Sequence, residues 1–192
     1  MGIAMRKVIS FVHVSLDGFV AAPKGEMSWI TINEEIFDYV GELLAPIDTA
    51  LYGRVTFEMM ENYWPTAADA PDASKHDREH SRWYKNAKKI VLSESLRGKS
   101  FANTTIISGG VADEIKKAKQ ANGSDILIFG SPRATHSLMK EDLVDGYWMF
   151  LNPVVLGSGI PLFANIQGKT QLNLVESKKL SCGVIALQFV RK

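Results

Sequence analysis

A chain of 192 residues, 46% hydrophobic and 22% charged, has the composition of an ordinary globular protein and is long enough to bury one core as a single domain. Its net charge of +1 excludes the broad cationic field that binding to nucleic acid or an anionic membrane surface would need, so any anion has to be gripped locally. The single cysteine, Cys182, excludes an internal disulfide or a cysteine-rich metal site and reads as a small buried hydrophobe.

Neither a signal peptide nor an apolar stretch of membrane-spanning length is evident, and a cytoplasmic protein is expected. Residues 7–14 are apolar at nearly every position, the pattern of a strand buried on both faces. Ser15-Leu16-Asp17-Gly18 breaks that strand, with Asp17 read as a turn residue. The apolar path resumes at Phe19-Val20-Ala21-Ala22, and a polar loop with Pro23 and Gly25 runs to Trp29. Such a loop after a buried strand suits either a lid over a pocket or a plain surface excursion. Asn33 is a good N-cap for a helix over 34–44, whose first turn carries Glu34 and Glu35 and whose stripe is Ile36, Phe37, Val40, Leu43 and Leu44.

Beyond Pro46, Thr49 to Tyr52 form a strand that meets Gly53, and a helical pattern with Arg54 and Thr56 in its first turn continues through Tyr63. Free N–H groups, a positive dipole end and a guanidinium would share one small volume there, a place suited to a phosphate or pyrophosphate. A strand–turn–helix with a solvated arginine is the plainer alternative. Residues 62–87, with Pro65 and Pro71, are expected to form a loop and then an exposed helix over 74–86. His76 and His80 have metal-ligand spacing on that helix, but they lack a third ligand, and no metal site is expected.

Strands are expected over 87–93, 104–108 and 125–129. A helix over 111–122 closes at Gly123, and another covers 134–140. A Gly/Pro-punctuated stretch over 152–161 precedes two runs, 171–180 and 183–190, that read as an antiparallel hairpin. Strand–helix alternation followed by antiparallel strands makes this an α/β chain. Four strands end in small or hydroxyl residues, at Gly53, Ser93, Ser108 and Gly130-Ser131, and ligands in open α/β sheets sit at that edge. Two of the turns add an arginine, Arg54 and Arg133, as a dinucleotide pyrophosphate would favour. The usual G-x-G-x-x-G fingerprint is missing.

Ser15-Leu16-Asp17-Gly18-Phe19-Val20-Ala21, Gly53-Arg54-x-Thr56-Phe57-Glu58, the turn at Gly130, and Asn152-Pro153-Val154-Val155-Leu156-Gly157-x-Gly159-x-Pro161-Leu162-Phe163 occur in that order. Together they resemble the dihydrofolate-reductase-like superfamily, in the branch similar to the C-terminal reductase domain of the bifunctional riboflavin-biosynthesis protein. The resemblance spans nearly the whole chain and implies a three-layer α/β/α fold with a mixed, mostly parallel sheet. It also implies NADPH as hydride donor and a homodimer.

Carried over by position, Gly53, Arg54 and Thr56 would bind the cofactor diphosphate, with Gly130, Ser131, Arg133 and Ala134 on its other side and Ser93 near the adenosine. Val12 and His13 would lie near the nicotinamide, with Val20 and Ala21 on the covering loop. Trp29 would face the substrate ring, and Glu34 or Glu35 would deliver a proton if burial raised its pKa. Two departures stand out. Gly130-Ser131-Pro132 replaces a triple-glycine turn, and Glu94 sits where an adenosine 2′-phosphate would want a cation, so NADH is not excluded. The resulting expectation is a reductase of a small heterocycle resembling the 5-amino-6-(5-phosphoribosylamino)uracil reductase. A dihydropteridine-type reductase and a non-catalytic dinucleotide-binding dimer are the alternatives.

Overall fold

The computed structural model of the chain describes residues 5–192 apart from positions 165 and 167. Ten strands and five helices follow in the order β1 (Val8–Ser15), β2 (Phe19–Ala21), α1 (Glu34–Leu44), β3 (Thr49–Gly53), α2 (Arg54–Ala67), α3 (Lys75–Asn86), β4 (Lys88–Leu92), β5 (Thr104–Ile107), α4 (Val111–Gln120), β6 (Ile126–Phe129), α5 (Pro132–Lys140), β7 (Gly146–Asn152), β8 (Ile160–Pro161), β9 (Leu172–Lys179) and β10 (Ile185–Arg191). Eight strands form one sheet in the order β5-β4-β3-β6-β1-β7-β10-β9, while β2 and β8 pair separately. The first six run parallel, and β10 is antiparallel to both its neighbours. The expected mixed, mostly parallel sheet with a C-terminal hairpin is present.

Side-chain alternation divides the core into two layers. Ile9, Phe11, Ala50, Tyr52, Val91, Leu127 and Phe129 point to one face, where α1, α2 and α3 supply Ile36, Tyr39, Val40, Phe57 and Tyr84. Val8, Leu51, Ile90, Ile126 and Ile128 point to the other, where α4 and α5 supply Ile115, Ala134 and Leu138. A smaller cluster of Val12, Val14, Val20 and Leu162 lies under the β2–β8 ribbon. The ribbon needs Gly159, because a Cβ there would come within 2.3 Å of the Ala21 carbonyl oxygen. Asp17 staples the two loops beside it. Its carboxylate accepts from Ser15 Oγ at 2.6 Å and from the amide of Gly157 at 2.7 Å. The Ser15 hydroxyl and these amides hold the Asp17 carboxyl below the usual carboxylate range.

Two expectations are corrected. The helix after Gly53 runs to Ala67 with Pro65 inside it, instead of giving way to a loop after Tyr63. Pro65 is the third residue from the end, so the one backbone bond that its missing N–H forfeits falls in the final turns of the helix. The helix over 74–86 is present as α3, capped by a reciprocal Ser74–Asp77 box, but its histidines turn inward rather than onto a solvated face. His76 stacks on Phe37 with ring centroids 3.8 Å apart, and His80 lies 4.0 Å from Trp64. Their spacing of four reflects a packed face that continues through Trp83 and Tyr84.

Charged groups fasten the amino-terminal edge of the parallel strands. Lys119 Nζ reaches both carboxylate oxygens of Asp145, at 2.8 and 2.7 Å, and Asp145 also accepts the Val8 amide at 2.7 Å. Arg6, only 6% exposed, donates to Asp48 Oδ1 and to Thr49 Oγ1. Replacing Asp145 by Ala strands the Lys119 ammonium and a strand amide, and should cost roughly 2–4 kcal/mol in urea unfolding. An unchanged midpoint would show that this edge is not fastened there.

His80 makes a second test. Its Nε2 is buried without a hydrogen-bond partner among the described residues, and burial pushes its pKa down to about 3. The folded chain therefore resists protonating a group that the unfolded chain protonates near pH 6.5. Its contribution is complete above that value and is lost as pH falls toward 3, at most roughly 3–5 kcal/mol. His80→Phe should flatten the loss of stability between pH 6 and 4 relative to the wild type. Parallel pH curves for the two proteins would contradict the burial of His80.

Candidate functional site

All six parallel strands end on one edge, and the chain reverses its direction of travel across the sheet between two of them. From β3 it moves outward to β4 and β5; from β6 it moves the other way, over β1, to β7. The helices that follow β3 and β6 consequently pack on opposite faces, α2 with one core layer and α5 with the other. Adjacent strand ends whose helices diverge leave a crevice between them. The two ends are joined directly, since the Gly53 amide donates to Ser131 Oγ at 3.0 Å. Both Gly130 and Ser131 are left-handed, with φ of 53° and 46°. That conformation turns the chain out of β6 and into α5.

The helix starts at this edge differ from the others. Asn33 and Ser74 cap α1 and α3 with their side chains. By contrast α2, α4 and α5, which follow β3, β5 and β6, begin at Gly53, Gly110 and Ser131 with no side-chain cap. Their first-turn N–H groups have no acceptor earlier in the helix and no capping oxygen, so three positive helix ends face the strand-end edge with donors available. Pro132 stands at the first position of α5, where an N–H would lack a helical partner in any case. The Gly-Ser-Pro turn thus leaves the amides of Arg133 and Ala134 in place.

The cations are distributed unevenly. Arg54, exposed, pairs with Glu58 one turn along at 2.6 Å. An exposed pair of this kind contributes only ~0.3–0.5 kcal/mol, so the guanidinium is readily diverted to a stronger anion. Arg133 is exposed and makes no ion pair among the described residues. Thr56 is half-buried on the first turn of α2. At the far end, Ser93 Oγ accepts the Leu96 amide and so caps its own turn, and Glu94 is exposed. Arg97 spans from this turn to the end of β5, donating to Ser108 Oγ at 3.1 Å and to its carbonyl at 3.0 Å. It therefore brings a cation to the same loop as Glu94.

Toward the other end of the edge, His13 on β1 stacks on Phe150 of β7 at 4.9 Å. Its Nδ1 lies 3.2 Å from Asn152 Nδ2. Asn152 is fully buried; its Nδ2 also donates to the Phe150 carbonyl, and its Oδ1 accepts the Thr31 amide at 3.0 Å. Burial alone pushes His13 down to about 4, which keeps the ring neutral at pH 7. Neither Asn152 nor Thr31 carried a role in the sequence reading. The one available signal was a polar residue ending an otherwise apolar strand, as Ser15 does in β1.

Val12 is buried under the β2–β8 ribbon, away from His13, and Val20 and Ala21 are buried in the ribbon itself. Trp29 is half-buried, with its indole N–H on the Glu26 carbonyl at 3.2 Å. Glu34 is exposed. Glu35 accepts from the Ser181 hydroxyl and, at 2.7 Å, from the Ser181 amide in the β9–β10 turn. Those bonds hold its carboxyl below the usual range. The rise by burial that proton delivery from Glu35 would need is therefore absent, and the carboxylate clamps α1 to the β9–β10 turn. Cys182 is half-buried against the core beside that turn.

Comparison with known proteins fits this arrangement. The family model of the RibD C-terminal domain matches residues 6–186. The YyaP protein of Bacillus subtilis (strain 168) is 31% identical over 185 residues, covering 96% of this chain and 94% of that protein. A protein of Shewanella sp. PV-4, named for riboflavin biosynthesis, superposes with a TM-score of 0.72 at 22% identity, covering 97% of this chain and 99% of that one. The diaminohydroxyphosphoribosylaminopyrimidine deaminase/5-amino-6-(5-phosphoribosylamino)uracil reductase of Thermotoga maritima gives 0.67 at 15% identity. That match covers 98% of this chain but 57% of the longer one. The fold is therefore the dihydrofolate-reductase-like one that the motifs imply. With a match over nearly its whole length, the chain belongs to the RibD C-terminal domain family.

Proposed function

We propose that the protein is an NAD(P)H-dependent reductase of a small nitrogen heterocycle, of the kind typified by the aminouracil reductases among its structural neighbours. The observation that carries the reading is the set of helix starts left without side-chain caps at one sheet edge, which fits the diphosphate of a dinucleotide. Gly53, Arg54 and Thr56 would hold that diphosphate from one side of the crevice, and Gly130, Ser131, Arg133 and Ala134 from the other. Ser93 and Arg97 would meet the adenosine end, where Arg97 offsets Glu94 and favours a 2′-phosphate. A reduced nicotinamide supplies the hydride when bound.

The chain's own contribution is to orient and to exclude water. The Val12–Val20–Leu162 cluster makes an apolar wall beneath the ribbon, and His13 offers a neutral polar group on the opposite face. A non-catalytic dinucleotide-binding dimer would draw its support from the altered turn at Gly130-Ser131-Pro132. Pro132 removes no donor that α5 would otherwise use, so that support falls away. Among the described residues no helix is long and apolar enough to cross a membrane. We propose a cytoplasmic homodimer that uses β9, an edge strand with exposed Leu174 and Val175.

Titration with NADPH should quench tryptophan fluorescence to saturation, and Arg54→Ala should weaken binding by ~1.5–3 kcal/mol, the loss of a charge-assisted contact. A flat titration would remove the cofactor reading. Arg97→Ala should narrow any preference for NADPH over NADH by about tenfold, or ~1.4 kcal/mol. Equal losses for the two cofactors would place Arg97 away from the 2′-position. In light scattering the protein should have twice its chain mass, and Leu174→Lys should halve it.

A further inference from the structure

The amide of Asn152 can be oriented in only one way. Its oxygen accepts from the Thr31 backbone N–H at 3.0 Å, and its nitrogen donates to the Phe150 backbone carbonyl at 2.9 Å. A backbone N–H cannot accept and a carbonyl cannot donate, so a flipped amide would set donor against donor and acceptor against acceptor. The nitrogen therefore also presents an N–H to His13 Nδ1 at 3.2 Å, and Nδ1 has to be the bare, accepting nitrogen. In a neutral ring the proton then sits on Nε2. Among the described residues His13 Nε2 has no hydrogen-bond partner, yet it is not one of the buried unpartnered atoms. It thus keeps some exposed surface.

We propose that His13 is the substrate-contacting donor of this site: its Nε2–H, fixed by Asn152, hydrogen-bonds a lone-pair acceptor of the heterocycle, a carbonyl oxygen or ring nitrogen conjugated to the bond being reduced. Asn152 is the positioning residue that selects the tautomer. The inference rests on the reductase reading and gives the substrate a required feature, an acceptor rather than a donor at the position facing His13. A heterocycle that presents N–H there would set two donors against each other, the kind of mismatch polar sites reject most strongly. The same lock stops His13 from relaying protons, because Nδ1 faces an N–H and cannot take up a proton without breaking the Asn152 contact. The surroundings agree: Asn152, Phe150 and the Thr31 amide are all uncharged, and burial is the sole cause that keeps the ring neutral.

The test begins on the cofactor-free protein with 15N-labelled histidine. The nitrogen spectrum of His13 should show the Nε2–H tautomer, unchanged from pH 8 to 5.5. An Nδ1–H tautomer, or titration near pH 6.5, would overturn the inference. Asn152→Asp replaces the amide donor with an acceptor, which should move the proton to Nδ1 and raise the pKa of His13 by about two units. If that variant does not fold, His13→Gln and His13→Leu keep the idea testable. Adding 6-aminouracil, which carries two ring carbonyls, should shift the Nε2 signal of the wild type. His13→Leu should bind it about tenfold more weakly, and His13→Gln, which keeps an amide N–H, should recover most of the loss. No shift, or equal binding by the wild type and His13→Leu, would overturn the donor role. A flat NADPH titration with the tautomer and the shift both in place would instead remove the reductase reading and leave His13 as a heterocycle-binding donor.

Discussion

The 3.0 Å bond from the Gly53 amide to Ser131 Oγ joins two strand ends whose helices leave on opposite faces of the sheet. Residues 78 apart in sequence are fixed side by side, and the arrangement around them follows. If β3 and β6 did not meet at this edge, the starts of α2 and α5 would be separate helix ends. Joined, they flank one crevice with donors on both walls. A Cβ at position 53 would meet Ala134 and Ser131 only in ordinary contact, so the join rests on the hydrogen bond and not on the lack of a side chain there.

The edge has a division of labour along its length. Its centre offers backbone amides and positive helix ends, which suit phosphate groups. The β1–β7 end offers an uncharged ring held by a buried amide, which suits a neutral heterocycle. The opposite edge of the sheet is fastened by Lys119–Asp145 and by Arg6 with Asp48 and Thr49. These charged groups anchor strands away from the strand-end edge, where paired groups stabilise only if their partners remain.

Much of the fold was legible because the strands are short apolar runs bounded by glycine, proline or hydroxyl residues, and Asn33 marks a helix start locally. The inward face of α3 was not. His76 and His80 alternate with Lys75, Asp77, Arg78 and Glu79, and a histidine does not declare from sequence whether it faces water or a tryptophan. Pro65 misled for a related reason, since it ends a helix in isolation while α2 tolerates it within its last turn. At the site, glycines and arginines at strand ends could be seen one by one. Their pairing followed from the two arginine-bearing turns and the family resemblance, but the bond between His13 and Asn152, 139 positions apart, could not be seen. Glu35 shows the same limit: the resemblance implies proton delivery by Glu34 or Glu35, while the partner that binds the Glu35 carboxylate, Ser181, lies 146 positions away in a hairpin turn.

The most direct measurement of the central claim is the backbone amide spectrum of the protein with and without NADPH. The account predicts that the largest shifts fall on Arg54, Val55 and Thr56 of α2 and on Ser131, Arg133 and Ala134 of α5, together, at one cofactor concentration. Shifts confined to one of the two helix starts, or centred on the α1–α3 surface, would contradict it.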